Sequence, residues 1–219
     1  MNNFWGVLVS VMFVALVIGA SAFLQKRGML SAEGSRKFIH IGVGNWWLLA
    51  MLFFDSPWWA AVAPLLFVAV NALSRRFTLI SAMERSGKDA GWGTVYYAIS
   101  LLVMALFSFS PMSRPYVGAL GAFAMAYGDG FAAVVGQRYG RTGYRIGTNR
   151  KSWAGSAAML LFTFAASVLV LALSGRPAFG PAAALALLAT ILEAATPLEL
   201  DNLTVPLGVT LLYQLAFFR

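Results

Sequence analysis

Eight apolar runs follow one another along the chain, at residues 4–24, 38–54, 57–73, 92–109, 115–135, 153–173, 179–195 and 203–218. A helix needs about 20 residues to cross the roughly 30 Å hydrocarbon core of a bilayer. These runs therefore take up nearly the whole chain and leave little for a water-soluble body. Inside lipid, every backbone N–H and C=O must be satisfied within the segment, which makes such runs helical. The predicted fold is an all-α polytopic membrane helical bundle of about eight (7–8) transmembrane helices, forming a single domain over residues 1–219. The lower count allows for a re-entrant pair among the second, third and eighth runs, which are short for a span. With 60% hydrophobic and 11% charged residues, the composition excludes an ordinary soluble domain.

The first run carries Ala20-Ser21-Ala22, which loosely resembles a signal-peptide cleavage site. Its front end has no Lys or Arg and Lys26 and Arg27 follow it at once, so a retained span is expected. There is no cysteine, which rules out disulfides, thiolate nucleophiles and cysteine metal sites.

Basic residues alternate between linkers. Lys26, Arg27, Arg36 and Lys37 belong to the first, Arg75, Arg76, Arg85 and Lys88 to the third, and Arg138, Arg141, Arg145, Arg150 and Lys151 to the fifth, which makes thirteen of the sixteen. Arg114, Arg176 and Arg219 are the remainder. The positive-inside rule then puts the thirteen in the cytoplasm and both termini outside. The formal net charge of +8 is assigned to anionic head groups and phosphates, not to nucleic acid, because the charges sit in short loops between spans.

The linkers on that face, with the span ends they join, carry the groups able to do chemistry. In Ser35-Arg36-Lys37-Phe38-Ile39-His40, Arg36 and the sole histidine, His40, stand four residues apart and share a helix face. A snorkelling anchor beside an interfacial imidazole is the plain alternative. Glu84-Arg85-Ser86-Gly87-Lys88-Asp89 leads into Gly91-Trp92-Gly93-Thr94 at the start of a helix. Gly128-Asp129-Gly130 falls inside the fifth apolar run, where a carboxylate is costly unless paired, hydrated or metal-bound. Pairing with Arg138 or Lys151 is the purely structural alternative. The flanking glycines would let backbone amides approach phosphate oxygens.

Asn149-Arg150-Lys151-Ser152-Trp153-Ala154-Gly155-Ser156 brings cations, a hydroxyl and a helix N-terminus together, as a triphosphate requires, without the spacing of a Walker A loop. An acidic patch runs from Glu193 through Glu199, Asp201 and Asn202. With Asp129 it could hold a divalent cation that bridges phosphates.

These motifs, from Arg36-Lys37-x-x-His40 to Asp201-Asn202-Leu203-Thr204-Val205-Pro206, resemble the CTP-dependent membrane lipid kinases: phytol kinase, dolichol kinase and CTP-dependent diacylglycerol kinase. The phytol kinase branch is the nearest in motif, although Leu200 stands where many of its members carry an acid. The resemblance implies phosphorylation of a lipid alcohol such as phytol, geranylgeraniol or another polyprenol, with CTP as donor and Mg²⁺ as metal.

It further implies nucleotide contacts from Arg36, Lys37, Gly128, Gly130, Arg138, Asn149, Arg150, Lys151, Ser152, Gly155 and Asn202. Asp129 and Asp201 would hold the metal, and Asp129, His40 or Asp89 would take the hydroxyl proton. The expected location is a bacterial inner membrane, amid membrane lipids, with the site on the cytoplasmic side. Two alternatives remain: a CTP:phosphatidate cytidylyltransferase, whose Lys-Lys-Thr-x-Glu-Gly run has no match here, and a transporter, which needs polar groups through the outer half.

Overall fold

In this computed structural model, which describes residues 2–77, 91–146, 149–197 and 199–218, every apolar run forms a helical rod. The first is α1 (Asn3–Lys26). The second is broken into α2 (Ala32–Gly44) and α3 (Trp46–Phe53) at Asn45, whose side-chain amide donates to the Ile41 carbonyl at 3.0 Å. A short polar side chain that bonds its own backbone competes with the helical ladder, which accounts for the break. Next come α4 (Pro57–Phe77) and α5 (Gly93–Ser108).

The fifth rod runs from Pro115 to Tyr139 as α6 (Pro115–Phe123), a π-helical turn Ala124–Asp129, and α7 (Gly130–Tyr139). After it come α8 (Trp153–Leu173), α9 (Phe179–Ala195) and α10 (Asp201–Ala216).

The described residues are all-α apart from one hairpin that the sequence did not predict. Strands β1 (Gly143–Ile146) and β2 (Asn149–Ser152) pair antiparallel, with Tyr144 opposite Lys151 and Arg145 opposite Arg150. Ser152 closes the hairpin and caps α8 by accepting from the Gly155 amide at 3.0 Å.

Among the described residues, four rods, α1, α4, Pro115–Tyr139 and α8, are long and apolar enough to cross a membrane; α5 and α9 are apolar but shorter. The protein is therefore a membrane protein, and the bundle presents Leu16, Trp58, Leu161, Leu173 and Leu215 on its outside. Pro115–Tyr139 is the central rod. Its apolar stretch is 78% buried inside the bundle, against 22% for α1.

Small residues make that burial possible. Ala119, Ala122, Ala124 and Ala126 are almost wholly enclosed, and α6 packs against α10 where a side chain on Gly121 would strike the Pro206 carbonyl. Close backbone approach is how helices associate in lipid, where hydrophobic burial gives no drive between them. Trp46 and Trp47 fill the core beside them and are fully buried.

Candidate active site

The ends of the rods bring distant polar residues to one end of the bundle. Ser31 caps α2 by accepting from the Gly34 amide at 3.1 Å, and the helix then delivers Arg36, Lys37 and His40 in its next two turns. Lys37 Nζ lies 2.9 Å from Asp129 Oδ2 at the end of the π turn, with both side chains buried. His40 Nε2 lies 3.2 Å from the same oxygen and 2.8 Å from the Met125 carbonyl. A carbonyl only accepts, so Nε2 carries hydrogen, and in the neutral ring Nδ1 is the basic nitrogen. π turns interrupt the regular ladder and recur at functional sites. Here the turn presents the Met125 carbonyl and the Asp129 carboxylate to one imidazole.

Tyr97 holds that imidazole from behind. Its hydroxyl donates to the His40 carbonyl at 2.8 Å, and the two rings meet edge to face with centroids 4.7 Å apart.

A second ion group adjoins the first. Lys151, in β2, pairs with Glu193 Oε1 on α9 and lies 3.6 Å from Asp201 Oδ2 at the start of α10. Burial alone would lower the Lys151 pKa, but the Glu193 and Asp201 carboxylates outweigh it and the ammonium is held above its ordinary value. One carboxylate oxygen each from Asp129, Glu193 and Asp201 falls within 4.8 Å of the others. At an effective dielectric of about 20, each such pair of charges repels by roughly 3 kcal/mol. The cluster thus needs positive charge at its centre, and Lys37 and Lys151 supply it.

The same donors suit a divalent cation. All are hard oxygens, and Glu193 Oε2 is buried without a hydrogen-bond partner. A dry, unpaired carboxylate oxygen is costly unless something cationic approaches it.

Comparison with known proteins finds relatives that match most of the chain. A phytol kinase from Synechocystis sp. is 34% identical over 213 residues, covering 91% of this chain and 86% of that protein. The chain belongs to the phytol kinase family. The chloroplastic phytol kinase 1 of Arabidopsis thaliana is 30% identical, over 93% of this chain and 72% of that protein. A probable chloroplastic phytol kinase of Triticum aestivum is 31% identical, over 89% and 71%. No protein-family profile matches the chain, and no solved structure does.

In this member of the phytol kinase family, the residues expected from sequence fall into three groups. Lys37, His40, Asp129, Lys151 and Asp201 meet in the buried cluster, and Arg36, His40 and Asn202 line a cavity beside it. Asp129 is paired with Lys37, not with Arg138 or Lys151 as the structural alternative had it.

Ser152 and the glycines have packing roles. A Cβ on Gly128 would meet Thr163 and Met159, one on Gly130 would meet Ile41, and one on Gly155 would press on the Ala132 carbonyl. Their missing side chains admit neighbouring helices, a different use from the phosphate approach expected of Gly128 and Gly130.

Arg138 and Arg150 are exposed. The Arg138 guanidinium lies 5.6 Å over the Tyr139 ring, and Arg150 stands opposite Arg145 in the hairpin beside Asn149. Asp89 lies outside the described residues.

Tyr97 carried no assigned role in the sequence, and Glu193 and Glu199 entered it only as members of the acidic patch. Glu193 was legible as a carboxylate inside an apolar run, but its part in the ion group depends on Lys151. Tyr97 gave no signal of its own. Glu199 accepts from the Gly93 amide at 2.8 Å and pairs with Arg36 at 3.1 Å, so it ties α5 to α2.

Proposed function

We propose that this chain is a lipid-alcohol kinase that transfers the terminal phosphoryl group of CTP to the hydroxyl of phytol or a related isoprenoid alcohol. Two things support it: membership of a family whose relatives are named phytol kinases, and the cluster of Asp129, Glu193 and Asp201 interleaved with Lys37 and Lys151. The cluster carries the proposal, because phosphoryl transfer calls for cations on a triphosphate and carboxylates for its metal, all held in fixed geometry.

In the proposed reaction the alcohol oxygen forms a bond to the γ-phosphorus, the bond to the β-phosphate oxygen breaks, and CDP leaves. The hydroxyl proton passes to a base. Asp129 and His40 stand in the cluster for that role. Lys37 and Lys151 turn from their carboxylates toward the entering phosphates, and the exposed Arg138 and Arg150 attract the nucleotide from solvent. Asp129, Glu193 and Asp201 would hold Mg²⁺, which when bound offsets charge on the phosphate oxygens. The eight rods are proposed to cross the membrane, with this end on the cytoplasmic side of a bacterial inner membrane, because three linkers of the sequence hold thirteen of its sixteen basic residues.

The test is transfer of label to lipid by the purified protein with phytol, geranylgeraniol, diacylglycerol or phosphatidate, using CTP labelled at the α or the γ phosphate. γ label on an isoprenoid alcohol supports the proposal, and its appearance on diacylglycerol alone replaces the acceptor. α label on phosphatidate makes the protein a cytidylyltransferase, and no transfer to any lipid overturns the kinase function.

A further inference from the structure

We infer that the groove between α1, α2, α4 and α5 holds the hydrocarbon chain of the acceptor alcohol, with Asn202 Oδ1 receiving the hydrogen bond of its hydroxyl; this rests on the kinase function proposed above. The groove is open along one side and encloses, with that open space counted, about 710 Å³ of empty volume.

Its polarity runs in one direction. Val14, Ile18, Phe67 and Leu101, from the interiors of α1, α4 and α5, make its walls apolar. The polar lining gathers toward the acidic cluster: Arg36 and His40 in α2, Asn71 in the last two turns of α4, Thr94 in the first turn of α5, and Asn202 in the first turn of α10. An occupant that fits is apolar along its length and polar at one end.

Asn202 says what that end must offer. The residue is 9% exposed, and its Oδ1 is buried with no hydrogen-bond partner. An acceptor left dry calls for a donor from the ligand, and a primary alcohol has one. Asn202 follows Asp201 directly in the chain, and His40, which also lines the groove, reaches Asp129 at 3.2 Å. A hydroxyl on Asn202 therefore lies beside the carboxylates proposed to hold the metal.

A nucleotide does not suit this groove. Arg36 is the one Lys or Arg among the described lining residues, and Glu33 and Glu199 already pair with it. Nor does a wholly internal ligand suit it, because Val70 on α4 lines the groove and is 44% exposed on the outside of the bundle. The wall is thus continuous with the lipid-facing surface, and a chain can slide in sideways from the membrane.

Two experiments on the full chain in lipid nanodiscs test the inference. In the first, a C20 isoprenoid alcohol bearing a mid-chain diazirine is photolysed without nucleotide and the labelled peptides are mapped. Label is expected in α1 and α4, displaced by phytol and not by phytane, which has the chain but no hydroxyl. Label spread over α8 and α9, or displaced equally by phytane, overturns it. In the second, Val70→Trp narrows the groove, and the ratio of kcat/KM for phytol to that for geraniol should fall about tenfold or more.

An unchanged ratio overturns the placement of the chain. If the wild-type protein transfers no phosphate from CTP, the kinase function fails, while the labelling pattern still decides the groove.

Discussion

Lys37 Nζ and Asp129 Oδ2 meet at 2.9 Å across 92 residues of sequence, and each is the other's means of staying charged inside an apolar bundle. Removing one partner of a buried ion pair typically costs about 3–5 kcal/mol, because the survivor stays charged and dry. Lys37→Met should therefore lower the melting temperature strongly and abolish transfer. Asp129→Asn keeps an oxygen for the Lys37 ammonium, so it should melt much closer to wild type while losing about 10²–10⁴-fold in kcat. Thermal melts and γ-label transfer on both variants check this. Full turnover in Asp129→Asn removes the carboxylate from the mechanism.

Metal affinity should report the acidic cluster separately from turnover. Glu193→Gln retains an oxygen for Lys151 but gives up its charge, and Asp201→Asn does the same at the start of α10. Groups that support a metal site typically contribute about 10–100-fold in affinity, and direct ligands should contribute no less. Mn²⁺ binding followed by electron paramagnetic resonance, without nucleotide, should show each variant weakened about tenfold or more. Unaltered Mn²⁺ affinity in both would remove these carboxylates from any metal site.

Much of this architecture is legible in the sequence because lipid is a strict solvent. The runs 153–173 and 179–195 coincide with α8 and α9, and 57–73 falls four residues short of the end of α4. Asp129 stood out for the same reason: a carboxylate within an apolar run has a cost that something must offset. Partners were not legible. Nothing near Asp129 in sequence points to Lys37, and the glycines beside it read as phosphate contacts, with no hint of the Thr163, Met159 and Ile41 side chains that press on them. The hairpin is not legible because Asn-Arg-Lys-Ser has no apolar residue and Gly-Tyr-Arg-Ile is too short to establish a period of two.

Glu199 predicts an unusual order of stabilities. It has a φ of +61°, which L side chains adopt at a cost, yet it holds the Gly93 amide and Arg36. Glu199→Ala loses those contacts and keeps the backbone cost. Glu199→Gly loses the contacts and relieves the cost by roughly 1–2 kcal/mol, so it should be the more stable of the two, both lying below wild type. Denaturation of the three proteins in matched detergent gives the order, and Glu199→Ala melting above Glu199→Gly contradicts this account.

Pro206 and Ser100 should be coupled through a carbonyl that neither owns. In a regular helix the amide of residue 206 would donate to the carbonyl of residue 202, but proline has no N–H, so the Asn202 carbonyl in α10 is left open. Ser100 Oγ on α5 donates to that oxygen instead. Ser100→Ala therefore removes the donor from a buried acceptor and should cost about 1–3 kcal/mol. Pro206→Ala restores an in-helix donor, so adding Ser100→Ala on that background should cost much less. A double-mutant cycle isolates the difference. A coupling near zero means that the serine bond and the missing proline donor are independent, and that α10 is held against α5 by packing alone.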